Sequence, residues 1–317
     1  MTDAAAPSRN KIISNPYIHR LQRRHFLLFD IAPIIGTVVA LALLPFLPFG
    51  ATEIALLAGM WLVSGLGITV GYHRLFTHRT FKAPPFVEAM LAITGSMAGQ
   101  GGVVSWVAIH RRHHEFSDRD GDPHSPNLSG DGLRGVLRGL VHSHFLWMRR
   151  HEYPNIAHYA PDLLRNRRLV NVSRHYYWWF ALGVAVPTVI GGLVHLSWQG
   201  ALAGLLWGGF VRVFLLEHII WAINSFLHRW GSKPYDSREN SRNGAVFSLL
   251  TFGESWHNNH HAFPSSPNFG LQWYRPDPGY WLIRGLSAVG LASDLKNPAA
   301  EQIAAKRIRT DERKAAA

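Results

Sequence analysis

The chain has 317 residues, 47% of them hydrophobic and 16% charged, with 12 Trp, 17 Phe, no Cys and a formal net charge of +12. This apolar content excludes a disordered or fibrous polypeptide, and the lack of cysteine excludes a disulfide framework, a thiolate zinc site, an iron–sulfur cluster and a cysteine nucleophile. A mean hydropathy of zero with clustered charge suits a membrane protein with polar lobes.

In chain order, residues 1–26 are basic and polar and run directly into an apolar stretch. A cytoplasmic N-terminal segment without a cleavable signal peptide is expected there. Two charge-free stretches follow, at about 31–49 and 54–72, parted by the turn residues Pro48-Phe49-Gly50. Each is long enough to cross about 30 Å of hydrocarbon as a helix. Residues 176–211 carry no Lys, Arg, Asp or Glu and break near Ser197-Trp198-Gln199-Gly200, which predicts a second pair of spans at about 178–198 and 201–223. Arg212, Glu217 and His218 fall in the fourth span and are expected to face protein, because lipid penalises such groups.

The basic residues orient these spans. Residues 1–26 hold 5 Lys or Arg, residues 71–177 hold 14, residues 229–317 hold 12, and the short turn inside each pair holds none. By the positive-inside rule both termini and the middle loop are cytoplasmic, and the net positive charge needs no nucleic acid to explain it. The expected organisation is a main domain over 27–296 followed by a polar, Ala-rich tail over 297–317. Phe86 to Ile109 has one formal charge and could pass for a fifth span by hydropathy.

Histidine spacing carries the chemistry. His110-Arg111-Arg112-His113-His114 and His257-Asn258-Asn259-His260-His261 each place imidazoles at i, i+3 and i+4, one face of a helix. At this histidine frequency such a pattern should arise about 0.07 times by chance. His73 and His78 lie five apart, about 140° on an ideal helix, which suggests that the second span ends or unwinds there. Asn224 and His228 share a face at the end of the fourth span. The topology brings all of these to one side of the membrane, where nine imidazoles exceed the needs of a zinc site. They suit two six-coordinate metals, best two irons, with positions left for water or dioxygen. The carboxylate di-iron bundles need two Glu-x-x-His pairs, and the chain has one match, at Glu254 and His257.

From Ile54 to Pro267 the sequence resembles the membrane fatty-acyl desaturases, in the stearoyl-CoA (Δ9) branch and of bacterial type. The resemblance rests on Gly71-Tyr72-His73-Arg74-Leu75-Phe76-Thr77-His78-Arg79, on Trp106 before the His110 run, and on Asp122-Pro123-His124. It continues through Ser143-His144, Trp147, Trp221-Ala222-Ile223-Asn224-Ser225, His228 and Gly253-Glu254-Ser255-Trp256-His257-Asn258-Asn259-His260-His261.

The resemblance implies an all-α membrane protein. Four transmembrane helices would form two hairpins beneath a cytoplasmic helical cap holding a polyhistidine di-iron site, in the bacterial inner membrane. It implies iron ligands at His73, His78, His110, His113, His114, His228, His257, His260 and His261, with Asn224 reaching one iron through water. Phe86–Ile109 should then stay on the cytoplasmic side, since crossing would separate His73 and His78 from His110. Trp106 and Trp221 match walls of an acyl tunnel, and Arg149 and Arg150 match a basic pair that meets coenzyme A. Ala108 and Ile109 replace an Arg-Asp pair that holds the coenzyme A headgroup in animal relatives, and Ser255 replaces a usual Gly.

The implied reaction is O2-dependent formation of a cis double bond, Δ9, in a saturated acyl chain, on acyl-CoA first and on acyl lipid or acyl-carrier protein as alternatives. No side chain is assigned as catalytic, because a methylene C–H bond offers acid–base groups nothing to act on and the metals must do the chemistry. Two electrons would come from an external donor, a ferredoxin or a cytochrome b5-like protein with its NAD(P)H reductase. Asp118, Asp120, Asp122 and Glu254 are candidates to orient the imidazoles. A di-iron hydroxylase, ketolase or alkane monooxygenase is the nearest competing enzyme. An iron transporter would place its ligands within the spans instead.

Overall fold

The structure is a computed structural model and describes residues 11–308. Residues 1–10 of the expected N-terminal segment and 309–317 of the expected tail lie outside the described residues. Among the described residues four helices are long and apolar enough to cross a membrane: α1 (Pro16–Ala42), α2 (Ala51–Thr77) and, after the cap segments, Tyr176–His195 and Trp198–Phe226. The chain is an integral membrane protein of helical type.

The first expected span is displaced. The helix runs without interruption from Pro16, whose turn is capped by Asn15 Oδ1 accepting from Ile18 N, and stops at Ala42. Residues 43–49, expected as its end, form a turn because Pro45 and Pro48 cannot donate to a helix.

Between α2 and the third span lie α3 (Pro85–Ser96), α4 (Val103–Phe116), α5 (Gly132–His144) and α6 (Arg167–Arg174). The ambiguous stretch 86–109 is thus divided between α3 and α4 and does not cross. Its break uses Gly99 and Gly101, whose φ of 88° and 94° lie in the left-handed region that glycine adopts without penalty. The third and fourth spans, α7 (Tyr176–His195) and α8 (Trp198–Phe226), join through Leu196 and Ser197, with Ser197 Oγ accepting from Gly200 N. After α8 come α9 (His257–Ala262), α10 (Pro278–Ala288) and α11 (Ala300–Ala305). The start of the expected polar tail is ordered, since Asp236 N donates to Lys306 O and Ile308 N to Pro234 O. A two-residue β1 (Ile12–Ile13) pairs antiparallel with β2 (Tyr153–Pro154), tying the N-terminal segment to the middle loop.

Burial separates the spans by role. The most apolar windows of α1 and α7 are 28% and 17% buried, whereas those of α2 and α8 are 44% and 56% buried. The first two therefore face lipid and the second two form the inner pair. Close approach is made by small residues, as membrane helices require in place of a hydrophobic drive. Any side chain on Gly67 would strike the backbone of Gly95 in α3, and one on Gly204 would strike Pro187 O in α7. The two hairpin turns meet at the far end from the cap, where His195 Nε2 lies 2.9 Å from Glu53 Oε1.

The charged groups of the fourth span point inward as expected. Arg212 is wholly buried and donates to the carbonyls of Met97, Gly183 and Gly208. Glu217 is equally hidden, while His218 is half-buried with Nδ1 3.0 Å from His144 Nε2.

Candidate metal centre

The end of α2 shows how local winding serves the site. Residues 67–77 adopt π-helical turns, and His78 N bonds to His73 O at 3.2 Å, an i→i+5 closure. Such a turn stacks residues five apart, where an α-helix would separate them by about 140°. The spacing that looked untidy in sequence therefore aims both imidazoles the same way. Arg111 clamps the turn to α4: Nε donates to Thr77 O, Nη2 to Phe76 O, and Nη1 and Nη2 reach Asp162 at 2.7 and 3.1 Å. Arg79 joins the same carboxylate. Although burial opposes it, the hydrogen bonds from Arg111 and Arg79 lower the Asp162 pKa to about 2.

The nine expected histidines sort into two adjoining groups. One holds His73, His78, His110, His114 and His260, and the other His113, His228, His257 and His261, with the ligand atoms of each group within 4.8 Å of one another. Within the first, Nε2 of His260 lies 3.0 Å from Nε2 of His73 and 2.9 Å from Nε2 of His114, which is itself 3.0 Å from Nε2 of His110. Within the second, Nε2 of His228 and His257 are 2.9 Å apart.

These approaches test whether metal fits. A run of neutral imidazole nitrogens facing one another has too few protons to satisfy every approach. Ligands on a common cation at about 2.1 Å and at right angles, by contrast, stand about 3.0 Å apart. Nε2 of His78, His113 and His261 is buried without a hydrogen-bond partner among the described residues, as expected of atoms reserved for a cation. The all-nitrogen donor set suits a borderline transition metal, and the site is a metal site.

Carboxylates fix which nitrogen faces inward. Glu254 Oε2 lies 2.5 Å from His73 Nδ1, and its Oε1 accepts from the Thr69 hydroxyl. Asp122 Oδ1 is 3.0 Å from His113 Nδ1, and Asp118 Oδ2 is 2.9 Å from His228 Nδ1. A carboxylate on Nδ1 holds the proton there and leaves Nε2 free to bind. Asp118 is turned toward His228 by a left-handed backbone at φ 56°, a conformation that Asp tolerates better than most residues. Burial would raise the carboxyl of Asp118, but the hydrogen bond from His228 overrides it and holds the group well below the ordinary range. At Asp122 burial is likewise overridden, by the charge of His113 and its hydrogen bond. Burial first, then neighbouring imidazoles, lowers His78, His110, His114, His257, His260 and His261 well below the usual histidine range. They are thereby kept neutral, the form that ligates.

Three of the four expected orienting carboxylates are in place, whereas Asp120 is exposed on the surface turn. Sequence reading missed Glu239, whose Oε2 lies 3.7 Å from His228 Nδ1 and 3.8 Å from His261 Nδ1. It sits in an irregular loop with no spacing signal. Asp118→Asn should weaken metal retention roughly 10–100-fold, the usual cost of losing such a partner, while Asp120→Asn should leave it unchanged. Competition with a chelator, read by metal analysis of the purified protein, compares the two.

A cavity of about 410 Å³ adjoins the imidazoles, lined by His73, His110, His257 and Asn224 at one side and by Ile68 and Ile220 beyond. Trp106 and Trp221 both line it. Trp106 stacks on His110 with ring centroids 5.0 Å apart, and its Nε1 donates to Gln100 Oε1 at 3.1 Å. Ile109 also faces the cavity, and Ala108 is buried behind it. Arg149 and Arg150 are exposed and absent from the lining, where their neighbours Met148 and His151 appear. The Ser255 hydroxyl is buried without a partner among the described residues, and nothing in the structure explains it.

A greasy chamber opening onto a nitrogen-lined metal site between membrane spans matches what comparison with known proteins finds. The sequence model of the family described as "Fatty acid desaturase" matches residues 47–288. The chain belongs to the fatty acid desaturase family. It is 51% identical over 306 residues to a hex-5-enoyl-[acyl-carrier protein] acetylenase of Moorena producens (strain JHB), covering 96% of this chain and 95% of that protein. It is 37% identical over 257 residues to Delta-9 acyl-lipid desaturase 1 of Arabidopsis thaliana, covering 80% and 79%. An sn-1 stearoyl-lipid 9-desaturase of Synechocystis sp. is 37% identical over 263 residues, covering 81% and 76%. As a fatty acid desaturase the protein is an oxidoreductase that works on acyl chains in a membrane setting.

Proposed function

We propose that this desaturase holds two irons, consumes O2 and introduces a cis double bond, Δ9, into a saturated acyl chain lying in the cavity. The observation that carries this reading is the joint placement of the two imidazole groups and the apolar chamber. His73, His110 and His257 belong to both. His73, His78, His110, His114 and His260 would hold one iron and His113, His228, His257 and His261 the other, with Asn224 reaching its iron through water. Bound iron supplies the reduction of O2 and the removal of two hydrogens that no side chain could achieve.

The protein's own part is positional. Trp106 and Trp221 hold the chain against the metal side of the cavity, and the apolar lining excludes bulk water from it. Glu254, Asp118 and Asp122 keep each partner imidazole in the ligating tautomer. Electrons come from an external donor, a ferredoxin or a cytochrome b5-like protein with its reductase, since the chain has no cysteine for an iron–sulfur cluster. Clustering of Lys and Arg on the cap side supports cytoplasmic termini in a bacterial inner membrane.

The acyl carrier is where two readings part. Acyl-CoA follows from the resemblance to the stearoyl-CoA branch. A lipid-linked chain is favoured by a specific observation: Ala108 and Ile109 offer no headgroup contact, and Arg149 and Arg150 stand outside the cavity lining. The similar acyl-lipid desaturases agree with that preference, whereas the acetylenase of Moorena producens is named for a carrier-protein-linked chain. Purified enzyme with a donor system should be given stearoyl-CoA, stearoyl-acyl-carrier protein and a stearoyl phospholipid in separate assays. Mass loss of 2 Da with a Δ9 product on the phospholipid supports this second reading, and turnover confined to stearoyl-CoA overturns it. A gain of 16 Da would show oxygen insertion and remove the desaturase assignment altogether.

A further inference from the structure

We propose that residues 244–252 form a re-entrant wedge sunk into the hydrocarbon of the cap-side leaflet, so that lipid covers Val246, Phe247, Leu249 and Leu250. These four side chains are 89%, 54%, 57% and 54% exposed. No charged residue interrupts the chain between Arg242 and Glu254. So many large apolar groups in one short loop form a patch that water does not tolerate cheaply, and three features identify lipid as its cover.

The first is depth. The ring of Phe252 lies directly against Gly65 of α2, where an added side chain would collide with it. Gly65 precedes His73 by eight residues on the same continuous helix, so it lies about 10–12 Å farther into the membrane than the imidazole groups. The loop therefore descends below the level of the metal site before Glu254 climbs back to Thr69 and His73.

The second is continuity. Leu62, one turn from Gly65 on the same side of α2, is 50% exposed on a helix whose outer face meets lipid. The wedge extends a membrane surface that the spans establish.

The third is the backbone. Within the segment Phe247 N donates to Gly244 O, Ser248 N to Ala245 O, Thr251 N to Phe247 O and Phe252 N to Leu249 O. Gly253 N then donates to Ser248 O and Glu254 N to Thr251 O. The Thr251 hydroxyl donates to Phe247 O and accepts from Ser255 N. A loop in water can leave such groups to solvent, whereas a loop in hydrocarbon is favoured when it closes them internally, as the turns here do for the amides of Phe247, Ser248, Thr251 and Phe252. Glu254 and His257 follow immediately, so lipid anchorage of the wedge sets the height at which the third histidine cluster meets the other two.

The absence of native cysteine makes the test clean. Single cysteines at Val246 and Leu250, with controls at Leu62 on the span and Arg119 on the exposed cap, are labelled with a nitroxide in proteoliposomes. Only variants retaining wild-type metal content are compared. Collision with O2 relative to a water-soluble nickel complex should match the Leu62 label at both positions and exceed the Arg119 label several-fold. Values equal to those at Arg119 would overturn the proposal. So would spin–spin broadening that vanishes on dilution with unlabelled chain, which would show a second copy on the patch. The readout is lipid contact and is independent of which acyl carrier the enzyme uses.

Discussion

Replacing His260 by alanine is expected to abolish the unsaturated product and to reduce bound iron from two per chain to one or fewer. His260 is the hub of its group. Its Nε2 stands 3.0 Å from that of His73 and 2.9 Å from that of His114, so its loss opens two of the closest approaches in the cage at once. It also packs on Phe269, with ring centroids 4.4 Å apart, and is 1% exposed, so water has no easy route to replace it. The variant should still insert in the membrane, because the four apolar helices that span it do not include this residue. Iron analysis and fatty-acid profiling of a desaturase-deficient host expressing His260→Ala measure both effects. Undiminished product would remove the metal role assigned to the cluster. A strong chelator acting on the wild type should reproduce the loss, and ferrous iron should reverse it.

Glu254→Gln is expected to cut metal affinity about 10–100-fold with a parallel fall in activity, without removing any ligand. The carboxylate holds His73 Nδ1 at 2.5 Å, accepts from Thr69 and lies 3.8 Å from the buried guanidinium of Arg74. Burial would raise this carboxyl, but the charge and hydrogen bond of His73, with Arg74, hold it below the ordinary range. Glutamine keeps the volume and can accept one bond, but it loses the charge that fixes the proton on Nδ1. Arg74 retains Asp277 and the carbonyls of Phe252 and Pro267, so the local fold should survive. An iron titration resolves the case. Unaltered affinity would show that the tautomer of His73 is set by something other than this carboxylate.

Much of the molecule was legible in the amino-acid order because the relevant physics is local. Charge-free runs of membrane length placed the spans, and the i, i+3, i+4 spacing at His110 and His257 placed three imidazoles on one helical face. The distribution of Lys and Arg led to the expectation that the clusters share one side of the membrane. The stretch 86–109 was decided by the family resemblance, which requires His73 to reach His110 and so a path that does not cross.

What the sequence could not carry depends on contacts between distant segments. The division of nine histidines into groups of five and four arises where α2, α4, α8 and α9 converge, and no spacing encodes it. The alignment of His73 with His78 depends on π-helical winding, which is held by Arg111 from another helix. Glu239 reaches His228 and His261 from an irregular loop, and Asp120, close in sequence to two orienting aspartates, points to solvent instead. The first helix begins fifteen residues earlier than its apolar run suggests, because its polar opening turns are paired with the middle loop, where Gln22 Nε2 donates to His151 O. Periodicity and hydropathy thus found the four long apolar helices, though not their ends or the standing of 86–109, and showed which helical faces carry nitrogen. Only the folded chain decided which imidazoles gather in each group, which carboxylates touch them and what the loop before the third cluster packs against, because those are distances between residues far apart along the chain.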